Sequence, residues 1–195
     1  MFGSLSPDEK QKVIKNLTHF GKSRKITQTA MLSVALGLDE TLLQPKASRN
    51  AFHLMDFDKT GTIKVDEFCR ALKELGIDEV EAQRLFECVD QTQSQTINYL
   101  EFLAATMDQR NVDEVALREA FRTLDTSHNG RISVNGLLEL LQRSFDKDQV
   151  KDMIDSADIT GDGCLNFDEF KAMFDDTPTA ASKQVEIKVD DTGAL

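Results

Sequence analysis

The 195-residue chain carries 34 acidic against 23 basic side chains, a formal net charge of −11 and a pI near 4.7. That balance argues against nucleic-acid or other phosphate partners and favours cations, whether metal ions or basic helices. No run approaches the roughly 18 apolar residues of a membrane helix, and the start MFGSLS lacks the basic and apolar regions of a secretory signal. Cys69, Cys88 and Cys164 are widely spaced without a CxxC pair, which fits reduced thiols, so a cytoplasmic protein without stable membrane insertion is expected.

The charge is unevenly divided. Residues 1–37 hold six basic and two acidic side chains, a net of +4, which leaves −15 on the remainder. Ser6-Pro7-Asp8-Glu9 predicts a helix start, with Ser6 as cap, Pro7 in the first turn and Glu9 three residues after the cap. Val13, Ile14, Leu17 and Phe20 then share one face, and Ala30, Met31, Val34 and Ala35 resume the apolar stripe after a weak point at Gly21. Residues 1–40 therefore read as a basic amphipathic segment, of the kind that helical lobes grip in a groove.

From Asp56 onward the chain repeats. Asp56, Asp90, Asp125 and Asp158 recur every 33 to 35 residues, each followed seven residues later by Ile or Leu. The first stretch, DFDKTGTIKVDE, places Asp56, Asp58, Thr60 and Glu67 at positions 1, 3, 5 and 12, with Gly61 at 6 and the Thr62 carbonyl at 7. This is the EF-hand pattern: calcium takes six to eight oxygens, and a tight loop supplies them from alternate residues with a bidentate Glu from the outgoing helix. Lys64 at position 9 leaves that vertex to a water, and Ile63 at position 8 is the residue expected to bridge to a paired loop.

The other loops differ in their ligands. DQTQSQTINYLE keeps Asp90 and Glu101 but has Thr92 and Ser94 at positions 3 and 5 and Gln95 in place of glycine, so it is expected to bind poorly. DTSHNGRISVNG keeps Asp125, Ser127, Asn129 and Gly130, while Gly136 at position 12 has no carboxylate. DITGDGCLNFDE restores the set, with Asp158, Thr160, Asp162 and Glu169 at 1, 3, 5 and 12, Gly163 at 6 and the Cys164 carbonyl at 7. The metal candidates are therefore Asp56, Asp58, Thr60, Thr62, Glu67, Asp158, Thr160, Asp162, Cys164 and Glu169. They predict two calcium ions, one per loop pair, with magnesium an alternative occupant at rest. The poorer loops are expected to serve as partners, through Ile97 and Ile132.

Phe52, Phe86, Phe121 and Ile154 stand four residues before the loops, and Phe68, Phe102, Leu137 and Phe170 follow position 12, as an inward helical stripe requires. Gly76 reads as a helix stop and Asp78 with Glu81 as a capping box. The expected fold is all-α and calmodulin-like, four helix-loop-helix units in two lobes behind an amphipathic helical segment. The boundaries are 1–40, 41–109 (loops 56–67 and 90–101), 110–176 (loops 125–136 and 158–169) and a flexible tail at 177–195. His19, His53 and His128 lack a second ligand at metal spacing, and the methionines serve equally as core or as a pliable groove.

The order of basic segment, VIKNLTHF, KITQTAMLSVALGL and four EF-hands, together with INYLEFLAATMD, resembles the regulatory end of calcium-dependent protein kinases over about residues 8 to 175. In that family the junction restrains a kinase domain until calcium makes the calmodulin-like lobes seize it. The resemblance places the junction within residues 8–37. The chain departs from the family in lacking a Gly-rich loop with a catalytic Lys, an HRD segment and a DFG, so no catalytic residues are assigned and it is not expected to be an enzyme. The function expected is a calcium sensor whose lobes open and grip an amphipathic helix, its own or a partner's. Alternatives are the regulatory fragment of a full-length kinase and a calcium-insensitive, light-chain-like structural subunit.

Overall fold

The computed structural model describes residues 5–37, 46–141 and 145–174. The tail expected at 177–195 lies outside them. Helix α1 (Pro7–Lys22) begins as the residues dictate: the Ser6 hydroxyl accepts the Glu9 N–H at 3.2 Å, and the Glu9 carboxylate accepts the Ser6 N–H at 2.8 Å. The helix runs straight through Gly21 and turns at Ser23 into α2 (Lys25–Gly37). Glycine at 21 serves packing rather than bending. A Cβ there would stand 2.5 Å from Cδ2 of Leu85.

The buried Gln28 side chain holds the corner between these helices, donating to the carbonyls of Phe20 at 2.8 Å and Ser23 at 3.3 Å. It also accepts a hydrogen bond from Nε2 of Gln91, in the second loop, at 3.3 Å.

Two helix-loop-helix units follow. Helices α3 (Lys46–Met55) and α4 (Val65–Glu74) flank the first loop, and α5 (Glu79–Val89) and α6 (Tyr99–Thr106) the second. Strands β1 (Thr62–Lys64) and β2 (Thr96–Asn98) pair antiparallel with Ile63 opposite Ile97, as expected. Gly76, at φ +87°, ends α4: its N–H reaches the Lys73 carbonyl and that of Ile77 the Leu72 carbonyl. Asp78 caps α5 by accepting the Glu81 N–H at 2.9 Å. The expected return bond from Glu81 is replaced, because its carboxylate grips Arg84, which also donates to the Gly21 carbonyl at 3.0 Å. The capping pair has become a brace between α5 and α1.

A 3-10 turn (Gln109–Asn111) leads to the second pair, α7 (Glu114–Leu124) with α8 (Val134–Leu141) and α9 (Lys147–Asp155) with α10 (Phe167–Ala172). Strands β3 (Ile132–Ser133) and β4 (Cys164–Leu165) pair with Ile132 opposite Leu165. All eight apolar residues flanking the loops are buried, and the fold is all-α apart from these short loop bridges.

Helix α1 packs against α3, α5 and α6, while α2 lies against α6, α7 and α9 and so touches both pairs. Val13, Leu17 and Phe20 of α1 and Ile26, Ala30, Met31 and Val34 of α2 are buried in one continuous core, and Ile14 is half-buried. Full burial contributes about 1.5–3 kcal/mol for each large side chain among them. Asn16 donates to the Thr106 carbonyl at 2.7 Å, which fixes α1 along the end of α6. Among the described residues no helix is long and apolar enough to cross a membrane.

Candidate metal centres

All four loops share one backbone path. Position 4 has positive φ in each, at Lys59, Gln93, His128 and Gly161, and so does position 6, at Gly61, Gln95, Gly130 and Gly163. The path is driven by the position-1 aspartate, which caps the preceding helix through its N–H and gathers loop amides with its carboxylate. In the first loop Asp56 Oδ1 accepts the Thr60 N–H at 3.0 Å and Oδ2 that of Gly61 at 2.9 Å. Glu67 closes the loop from α4: Oε1 accepts the N–H groups of Phe57 and Asp58 at 2.9 and 3.2 Å, and Oε2 that of Lys64 at 2.9 Å.

Three carboxylates thereby converge. One oxygen from each of Asp56, Asp58 and Glu67 lies within 4.8 Å of the others, the one such group among the described residues, with Asp56 and Glu67 buried. Two donors bonded to opposite sides of a calcium ion stand roughly 4.6–5.2 Å apart, so this spread fits a single ion. The Thr60 hydroxyl donates to the Thr62 carbonyl at 3.2 Å, which sets both oxygens on the same rim. Lys64 is also charged company: its ammonium pairs with Asp58, and chiefly that hydrogen bond, then one from Thr60, holds the Asp58 carboxyl down to about 2.

The fourth loop repeats the frame. Asp158 accepts the N–H groups of Gly161 at 2.8 Å and Gly163 at 2.7 Å, and Glu169 those of Ile159, Thr160 and Asn166. The Thr160 hydroxyl donates to Asp158 at 3.3 Å. Asp162 does not join them in a three-carboxylate group: Oδ1 accepts the Cys164 N–H at 3.1 Å, and Oδ2 pairs with the guanidinium of Arg131, from the third loop. Cys164 is half-buried on β4.

The two remaining loops are closed by their own groups. In the second, Asp90 accepts the N–H of Ser94 and of Gln95, each at 2.9 Å, and Glu101 accepts both the N–H and the hydroxyl of Thr92 at 3.0 and 2.9 Å. The Thr92 hydroxyl donates a proton where the first loop offers a second carboxylate, and Gln95 holds the left-handed turn at φ +65° despite its Cβ. In the third, Asp125 accepts the N–H of Asn129 and Gly130, but a Cβ at Gly136 would stand 2.4 Å from the Thr126 hydroxyl. The space a position-12 side chain would enter is filled.

The pattern of an EF-hand domain pair matches residues 46–107 and 114–175. The chain belongs to the EF-hand family. Each matched pair contains two of the loops described above, and EF-hand domains imply calcium binding. Similar curated proteins include calcium-dependent protein kinase 21 of Arabidopsis thaliana, 30% identical over 178 residues, covering 88% of this chain and 33% of that protein. Calcium-dependent protein kinase 17 of Arabidopsis thaliana is 34% identical over 167 residues, and kinase 19 of Oryza sativa subsp. japonica 31% over 166, each covering 83% of this chain and 31% of the relative. The chain spans about a third of the length of these relatives.

Two side chains at these EF-hand loops escaped the sequence reading. Lys64 appeared only as a residue leaving room for water, and Arg131 drew no notice because position 7 contributes its carbonyl. Lys64 was signalled by a cation inside its own acidic loop, whereas Arg131 meets an acid of the neighbouring loop, which nothing in its own loop announces.

Proposed function

We propose that the chain is a calcium-responsive regulatory domain that holds an amphipathic helical segment, its own α1–α2, across two EF-hand lobes. The packing of α2 against α6, α7 and α9 carries this reading, because an ion that moves either pair of loops acts on a helix both lobes share. Calcium would be held by Asp56, Asp58, Thr60, the Thr62 carbonyl and Glu67 in the first loop. In the fourth it would be held by Asp158, Thr160, Asp162, the Cys164 carbonyl and Glu169, two ions in all, with magnesium competing at rest. The domain boundaries at 40, 109 and 176 belong to the same reading, as does a cytoplasmic location.

The mechanism is a population shift: calcium binds one arrangement of the lobes better than another, and α1–α2, or a partner helix that replaces them, has its own preference between the two. The ion supplies a charge that draws the loop oxygens together. Glu67 and Glu169 convey this to α4 and α10, because each anchors loop amides from the first turn of the outgoing helix. The span of about a third of the matched kinases favours a second reading, in which a kinase domain elsewhere in a longer protein is the partner and this chain supplies no catalysis.

Calorimetric titration of calcium should give two ions, with Glu67→Gln and Glu169→Gln each removing one. Hydrogen exchange at α1 and α2 should change when calcium is added. Unchanged exchange with two bound ions would leave a calcium-insensitive, light-chain-like subunit, and absence of binding would overturn the proposal. Deleting residues 1–37 is a poor test, because Leu17, Phe20, Ile26 and Met31 are core residues.

A further inference from the structure

The third loop keeps the EF-hand path but has lost the carboxylate that would close on an ion. Its Arg131 nevertheless reaches across the β3–β4 bridge to Oδ2 of Asp162, the position-5 residue of the fourth loop. The other oxygen of Asp162 accepts the Cys164 N–H at 3.1 Å, so both oxygens are engaged by groups of the protein. Glu169 sits in the same backbone cradle as Glu67, and Asp158 gathers the amides of positions 4 to 6 where Asp56 gathers those of 5 and 6. The loops diverge at positions 3 and 5, where Asp58 and Thr60 of the first become Thr160 and Asp162 of the fourth, and the Asp162 anion carries a cation of the neighbouring loop.

We propose that Arg131 sets the calcium affinity of the fourth loop by competing, as a cation built into the third loop, for the Asp162 carboxylate. The inference rests on the fourth loop being a calcium site, as proposed above. Calcium can recruit Asp162 in two ways. If the guanidinium leaves, the ion pair is lost on binding; if it stays on the outer oxygen, a positive charge remains beside a dication. Both weaken binding, and both are screened by salt, since the pair is partly exposed, with 49% and 34% of the two side chains accessible. A loop without a closing carboxylate thus acts on its partner through charge. Lys64 meets Asp58 inside one loop and couples no second loop to it.

The test reads the fourth loop alone, in the full chain carrying Glu67→Gln, by calorimetric calcium titration at low and high salt. Adding Arg131→Gln should tighten binding by about 2- to 5-fold at low salt, as loss of a partly exposed charge pair implies, with a smaller gain at high salt. Arg122→Gln, which removes an equal charge paired with Glu119 on the α7 surface, should change affinity by less than about two-fold. In an Asp162→Asn background, Arg131→Gln should add nothing. Equal affinities with Arg or Gln at 131, an equal gain from Arg122→Gln, or a full gain with Asn at 162 would each overturn the inference. If Glu67→Gln protein binds no calcium while Glu169→Gln protein still binds one ion, the fourth loop is no calcium site and the reading beneath the inference fails with it. Thermal unfolding of each variant verifies that a changed affinity is not a changed fold.

Discussion

Each half of the protein joins a carboxylate-rich loop to a poorer one, but in opposite order, first before second and fourth after third. Their cores differ as well. In the N-terminal half Phe52 meets Phe102 at 5.6 Å and Phe68 meets Phe86 at 5.8 Å, so the helix entering each loop packs on the helix leaving the other. The C-terminal half keeps one such crossing, Phe121 with Phe170 at 5.4 Å, and has Leu137 and Ile154 where the second would be. Aromatic pairs of this geometry add about 0.5–1.5 kcal/mol beyond the area they bury. The N-terminal half also carries α1 on three of its helices. The half whose carboxylates converge has an acid at position 3, whereas in the other half Thr160 stands there and Asp162 is held by Arg131 of the neighbouring loop, which teaches that a loop's ligand geometry depends on its partner loop as well as on its own residues.

The comparison breaks most readily at α1. Phe20→Ala should cost about 3–5 kcal/mol in chemical denaturation, because the ring is buried against the N-terminal half. A loss below about 1 kcal/mol would mean that α1 braces nothing. Next is the third loop. Gly136→Glu should bind no additional calcium and should lower stability by about 1–3 kcal/mol, since its Cβ meets the Thr126 hydroxyl. Adding Thr126→Ala should recover part of that loss, and a failure to recover would move the cause elsewhere. A gain is expected at Gln95→Gly, of about 1 kcal/mol, from relieving a left-handed residue.

The smallest effect lies at Glu114, where α7 meets α10. Hydrogen bonds from Lys171 and then Arg118 hold its carboxyl below the ordinary 4.5. Its contribution is therefore full above pH about 4.5 and is lost as pH falls through the lowered value. Glu114→Gln should flatten that part of the stability profile in acid denaturation, and an unchanged acid limb would remove this pair from the account.

What was legible in the sequence was local. The Phe and Ile stripe and the Ser6–Glu9 cap follow from spacings within one helix or one unit, and the Ile63–Ile97 pairing from the repeat that joins neighbouring units. Gly21 does stand within two residues of the end of α1, but its purpose in packing, the approach of Leu85, was hidden because it lies on a helix more than sixty residues away. Glu81 was misassigned because Arg84, three residues on and also bonded to the distant Gly21 carbonyl, takes its carboxylate. The Arg131–Asp162 pair was illegible because the reach of a long side chain carries no period. The left-handed position 4 was hidden because it takes Lys, Gln, His or Gly alike.

The hydrogen bond from Gln91 to Gln28 gives the second loop a place in the architecture that its ligand list does not suggest. From Ile63 the path crosses the strand bridge to Ile97 and follows the second loop to Gln91. It then passes into the amide that clasps the Phe20 and Ser23 carbonyls at the α1–α2 corner. The second loop is thereby a strut that runs from the strand bridge to the elbow between the first two helices.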